Sequence, residues 1–550
     1  MKSVDSLLLE YYKEFEPGSA FTDGFNECAG KLFLPTKENK KKALLNLKKI
    51  RSRTRDKKVI CYLKSKEFLL KEEAVDEPHH APSEINGVFF AHIVKEGFNE
   101  QHLSSLVDYS VELLDLYLKK FLKKKTAFEI KVMVNAECIG LIELLEMIES
   151  NVSAEILKLK IKRLIDKVNE YKKAFEVRGL KKGDFSEVYP LLKKKGGKLG
   201  RNRIYSKLLK IVYGYPESAS EIEKKALKWF YNELPVFKKS VVELAKVYKC
   251  KPTAEKVEEE IKRRGKINPK DLLRVNREVR KILQPIAEKE FVRINKKYDT
   301  KLIETPDYLT VFLPTAAMNS FDSFTKKPFN IFFVTTDTKG SPVSDISDLI
   351  NTLSHEEYGH CVNFSNTATE FVRKLSFVEK HGAGFELPIT EGISFNREYE
   401  VLLYFKKLFA KKKKTKQEQK LIKLIKKYSD LDTFLLVEEF MIYKWRIIRF
   451  LRAIGDVRIN MDKQSLYKFV EWASRETGMA PKTVYNQIFL FQEMPGYAPS
   501  YSIFGMKLKA MQEKIRKRGE SVVEFNTYAS SIGFPCLKVY EADLKKKFKL

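Results

Sequence analysis

Apolar residues recur at three- and four-residue spacing through most of the 550-residue chain, the period of helices that bury one face. SLVDYSVELLDLYLKKFLKK (105–124) and ESASEIEKKALKWFYNELPVF (217–237) both carry it. Residues 1 to about 290 read as a succession of such helices, separated by short breakers. EPHHAPSEING (77–87) is expected to be a loop, because of its prolines and its Asn-Gly pair. No carboxylate or cysteine pattern supports His79 and His80 as metal ligands, and they are set aside. The texture changes near residue 305. DYLTVFLPT (307–315) and FNIFFVTT (329–336) are rich in β-branched and aromatic residues, which predicts one small sheet. A helix should follow, with Ser344 as N-cap, Ser347 and Asp348 in its first turn, and Ile346, Leu349, Ile350 and Leu353 on one face. After residue 390 the chain returns to helix, apart from the Pro/Gly loop EMPGYAPSY (493–501). The expected fold is mostly α and two-lobed, with a helical lobe over 1–290, a second lobe over 291–550, and one small sheet.

That last helix leads into SHEEYGHC (354–361), where His355 and His360 are five residues apart. Five residues advance an ideal α-helix by about 500°, which leaves the two rings about 140° apart and unable to share an ion. A single π-bulge inserts one residue into a turn and removes that objection. Gly359, just before the second histidine, would tolerate the distortion. The plain alternative is one surface histidine and one satisfied by a hydrogen bond. Three features weigh against it. Glu391, in the helical-looking ELPITEGISFNREYE, follows His360 by 31 residues and completes a set of two His and one carboxylate, common in hydrolytic zinc sites. Glu356 neighbours the first histidine, where a carboxylate can act as general base. The strand at 329–336 could offer an edge to extended peptide backbone.

These residues resemble the thermolysin-type zinc peptidases that use Glu as third ligand. Within them the chain is similar to the family called domain of unknown function 885, distant kin of thimet oligopeptidase. That family reads H-E-x-x-P-G-H, then E-G-W-A-x-Y-x-E, then P-G-x-A-x-x-Y. Here the pieces are HEEYGH, EGISFNRE and PGYAPSY, in that order. The proline before Gly-His is missing, which gives the H-E-x-x-G-H spacing of dipeptidyl peptidase III. Ile393 and Asn396 replace the Trp and Tyr of the second motif. GYAPSYSIF also resembles a thimet-type G-Y-x-x-x-Y-Y-x-Y loop, in which Tyr497 and Tyr501 match and Phe504 replaces the last tyrosine. The resemblance implies a two-lobed helical metallopeptidase with residues 291–550 as its zinc-binding part. It implies His355, His360 and Glu391 on zinc, Glu356 as general base, and Tyr501, with Tyr497 second, as hydroxyl donor to the transition state. Glu398, two turns beyond Glu391, is a candidate partner for a ligand histidine, with a surface ion pair as the alternative. Arg446, Arg449 and Arg452 recur every three residues. Arg449 or Arg452 could bind a substrate carboxylate, which would make the enzyme a carboxypeptidase; inter-helix salt bridges are the competing use. His381 lies between the second and third ligands and could contact substrate or serve the structure.

The chain carries 103 Lys and Arg against 73 Asp and Glu, a formal charge of +30. The lysines are spread along its whole length and no zinc finger, P-loop or RNP-type string accompanies them, so solvated helix faces are expected and specific nucleic-acid binding is not. The six cysteines form no C-x-x-C pair and read as reduced thiols. No run approaches the roughly 18 apolar residues of a membrane span, and acids interrupt the apolar stretch at the N-terminus, so no signal peptide is expected. The expectation is a cytoplasmic zinc peptidase acting on short peptides. The alternatives are an inactive metal- or peptide-binding homologue and a basic nucleic-acid-associated protein.

Overall fold

The computed structural model describes residues 2–180, 184–307, 313, 316–336 and 343–550. They form a mostly α-helical fold with one three-stranded sheet. Two long helices make the main axis of the core. Ala219–Tyr248 starts with a capping box between Ser218 and Glu221 and runs through Pro235 without ending. It packs along Leu431–Asn460, here called the arginine helix. Phe230, Leu234, Phe237, Val241 and Leu244, spaced four and three apart, meet Phe440, Ile447, Phe450 and Leu451. Each such side chain contributes about 1.5–3 kcal/mol when fully buried. This core takes residues from both sides of position 290.

A second core positions the histidine segment. Leu349, Ile350 and Leu353 pack with Phe332 and Val334 of the sheet and with Val401, Phe405 and Leu408. The last three belong to Glu386–Ala410, here called the glutamate helix. The histidine segment is thus held to both the sheet and the glutamate helix.

The sheet differs in detail from expectation. It consists of β1 (Thr300–Glu304), β2 (Ala316–Phe321) and β3 (Phe329–Val334) in the order β1-β3-β2. β3 pairs parallel with β1 and antiparallel with β2. It is therefore the central strand, not an exposed edge, and β2 is an edge that contacts the histidine segment. The expected strand over 307–315 lies largely outside the described residues. β1 has too short an alternation to stand out in sequence. Segment 77–87 is also not the expected loop, because His80 begins a helix that runs to Glu96. Pro82 occupies its first turn, where no intrahelical N–H bond is lost, and Ile85, Phe89 and Ile93 bury one face. The cap of the later helix is Asp345, not Ser344; its carboxylate accepts from Ser347 N at 2.8 Å. Among the described residues no helix is long and apolar enough to cross a membrane.

Candidate metal centre

Ile346–His355 is α-helical, and the backbone then widens into a π turn over Glu356–Cys361 before α-helix resumes at Val362–Ala368. The extra residue in that turn swings His360 round to His355. Their Nε2 atoms are 3.2 Å apart and the ring planes are nearly perpendicular, at 84°. The turn is braced from behind. Glu357, fully buried, accepts from Arg280 Nε at 2.6 Å and from the Tyr298 hydroxyl at 3.0 Å. Gly359 is not in the left-handed region, so backbone freedom is not its role, contrary to expectation. A Cβ there would lie 2.2 Å from Ser394 Oγ and 2.8 Å from Ser394 Cα. Glycine lets the π turn touch the glutamate helix.

That contact delivers the third donor. Glu391 Oε2 lies 3.7 Å from His355 Nε2 and 3.5 Å from His360 Nε2. Ligand atoms placed tetrahedrally at zinc distances of about 2.0–2.2 Å would be about 3.3–3.6 Å apart. The observed triangle fits a zinc-sized divalent ion. Oε2 is buried and has no hydrogen-bond partner among the described residues, as a carboxylate oxygen reserved for an ion would be. The other oxygen, Oε1, accepts from the Tyr497 hydroxyl. Burial opposes ionisation of Glu391, but His360, His355 and Tyr497 outweigh it and bring its carboxyl down to about 2. Burial likewise works against protonation of His360, yet Glu391 and Glu356 raise its imidazole overall.

A second layer fixes these donors. Glu398 Oε1 accepts from His355 Nδ1 at 2.6 Å, which leaves Nε2 with its lone pair toward the triangle. Arg449 binds both oxygens of Glu398, with Nη2 to Oε1 at 2.7 Å. Burial disfavours the Glu398 charge, but Arg449 and His355 hold its carboxyl down to about 2. Arg449 is thus occupied by Glu398, which is the salt-bridge use weighed for these arginines. Arg446 is occupied too, by Glu233 through Nε and Nη2, both at 2.6 Å. The Tyr497 and Tyr501 hydroxyls are 2.9 Å apart. Tyr501 sits on another π turn, Ser500–Phe504, which ends the Pro/Gly loop. Phe504 is fully buried against Gly392 and Tyr540.

His355, one corner of the triangle, lines a cavity of about 360 Å³. Glu356, Arg452, Tyr501, Asn351, Asp348 and Ala316 of β2 are among its walls. His381 is elsewhere, in a separate cavity with Tyr12 and Asp23. The structure also gathers Glu77, His79 and His80 into a possible ligand set, although the two histidines were set aside on sequence. Glu77, however, is gripped by Arg201 on both oxygens. His80 Nδ1 accepts from Glu77 N at 3.2 Å and His79 Nε2 lies 3.2 Å from the Glu493 carbonyl.

Sequence reading missed Arg280, Tyr298 and Ser394, the braces of the π turn. Nothing local to any of them signals the role, since each acts across the fold on a segment distant in sequence.

No protein-family profile and no curated protein matches the chain. Two solved structures share its fold over nearly the full length. One is described as a "putative lipoprotein" from Colwellia psychrerythraea, with TM-score 0.65 and 14% identity, over 99% of this chain and 98% of that one. The other is described as a "putative lipoprotein of unknown function" from Shewanella oneidensis, with TM-score 0.63 and 13% identity, over 98% of each chain. At such identities the likeness speaks for the fold alone.

Proposed function

We propose that the protein is a zinc-dependent peptidase of short peptides, akin to the domain of unknown function 885 family. The observation that carries this reading is the π turn, which brings His355 and His360 onto the unpartnered Oε2 of Glu391. His355, His360 and Glu391 would hold the ion. A divalent ion in such a site lowers the pKa of water to about 7 and polarises a carbonyl oxygen. Glu356 takes the proton of the attacking water and passes it to the departing amine. The Tyr501 hydroxyl turns from Tyr497 to the substrate oxygen as charge builds there. In support, Ala316 of the edge strand β2 lines the same cavity, and a strand edge can pair with an extended backbone. A cavity of about 360 Å³ favours short peptides over folded proteins.

The test is digestion of a mixture of short peptides, read by mass spectrometry, with and without a zinc chelator. Trimming that stops on chelation and returns with added zinc is expected. Intact peptides after incubation with folded protein of full zinc content would overturn the reading.

Two substitutions probe the surroundings. Glu398→Gln keeps the shape but weakens the hold on His355, and zinc affinity should fall about 10- to 100-fold in competition with a chromophoric chelator. Unchanged affinity would limit Glu398 to pairing with Arg449. Tyr501→Phe should lower kcat by about 10²–10³-fold with little change in KM, the mark of a donor used in the transition state. An unchanged kcat would pass the donor role to another group.

A further inference from the structure

The arginine helix carries four arginines, and three are matched to carboxylates: Arg446 to Glu233, Arg449 to Glu398 and Arg458 to Glu223. Arg452 is not. Among the described residues it has no ion pair, and its hydrogen-bond partner is the neutral Gln487, through Nη2. Its Nε is buried without a partner. Aromatic rings hold the guanidinium: its carbon is 4.1 Å from the Phe491 ring centre and 5.3 Å from that of Tyr501. Such packing fixes the plane of the group and leaves its edge for an acceptor. Arg452 also lines the cavity that His355 and Glu356 line. It follows Arg449, which touches the His355–Glu398 pair, by one helical turn, a rise of about 4.5 Å.

Burial lowers the tendency of Arg452 to stay charged, and Arg449 adds to the effect, so that its pKa falls to about 10. At neutral pH it is still a cation. A half-buried cation without a counter-ion, flat against aromatic rings and open to a cavity, is a receptor for an anion. Phosphate-sized anions would suit a wider cluster of donors. A single planar fork matches a carboxylate, which accepts two parallel N–H bonds.

We propose that Arg452 binds the C-terminal carboxylate of the peptide substrate and thereby sets the site to remove residues from the carboxyl end. The proposal rests on the peptidase reading for its second half. Its first half, carboxylate binding, stands without it. One turn of helix separates the anchor from the groups around the metal triangle, which leaves room for only a short stretch between the bound carboxylate and the scissile bond. Arg452 is a binding residue here, not one that acts on the reacting atoms.

The test uses three acetylated peptides of the same length: an all-alanine tripeptide as free acid, the same tripeptide as amide, and an amide with glutamate in the middle. Binding to the metal-free full-length chain is measured by calorimetry, so neither zinc nor turnover is needed. The free acid should bind at least about tenfold more tightly than either amide, and Arg452→Met should abolish that difference. Arg452→Lys should keep part of it, which separates lost recognition from a damaged fold; circular dichroism checks both variants. Equal binding of acid and amide to the unmodified protein would overturn the proposal. Tight binding of the glutamate-bearing amide would also overturn it, because the subsite would then read an acidic side chain. With zinc restored, the same variants should raise KM for free-acid peptides and leave kcat nearly unchanged. Carboxylate binding without any hydrolysis would keep the Arg452 assignment and remove the peptidase reading instead.

Discussion

Replacing Glu356 by Gln should lower peptide hydrolysis by about 10²–10⁴-fold while zinc stays bound. Three observations combine in that expectation. Glu356 directly follows the first histidine of the triangle and faces the cavity. Its neighbour Glu357 is consumed by Arg280 and Tyr298, whereas Glu356 has no ion pair among the described residues and is free to handle a proton. Glutamine matches its volume and cannot accept that proton. The measurement is kcat on a short peptide alongside zinc content, with both proteins prepared identically. Loss of activity at full zinc content assigns the base. Activity equal to that of the unmodified chain would move the base elsewhere, or trace the hydrolysis to a contaminant.

Gly359→Ala should be the most damaging substitution of a single methyl group in the site. The added carbon would meet Ser394 at 2.2 Å from Oγ, 2.7 Å from Cβ and 2.8 Å from Cα. A hydroxyl can rotate away, but a backbone carbon cannot. Either the glutamate helix retreats or the π turn does, and both movements open the triangle between His360 and Glu391. Overpacking of this kind costs about 1–3 kcal/mol, so denaturant unfolding should report lower stability and chelator competition weaker zinc binding. Ser394→Gly in the same chain removes two of the three contacts and should restore part of both quantities, a coupling that a double-mutant cycle reads directly. If Gly359→Ala changes neither stability nor zinc affinity, the close approach of the two segments is not what holds the triangle together.

The helical character of the chain was legible because most helices bury one stripe at a regular period. The site was partly legible for a different reason. Zinc donors come from a short list, His, Cys and carboxylate, and a five-residue spacing of two His has one inexpensive structural solution, the π turn. That turn is present at Glu356–Cys361. What local pattern could not show is competition among partners. Arg449 and Arg452 look alike in KWRIIRFLR, yet one meets Glu398, 51 residues earlier, and the other meets no acid among the described residues. The helix at 80–96 was hidden because Pro and Asn-Gly are turn formers in isolation, and only the buried stripe of Ile85, Phe89 and Ile93 overrides them. The edge role passed from β3 to β2 because strand order depends on pairing, to which a single strand's composition is blind.

The pairing of Ala219–Tyr248 with Leu431–Asn460 also bears on how the protein is made. The second helix begins 183 residues after the first one ends. At synthesis rates of about 5–20 residues per second, the first helix waits on the order of 10–40 s for its partner. During that time Phe230, Leu234, Phe237, Val241 and Leu244 form an apolar stripe whose partner face on the second helix has yet to be made. The nascent chain therefore calls for a holdase or for temporary cover from its own N-terminal helices. Slowing elongation between the two helices should increase aggregation of the newly made protein without altering the finished fold.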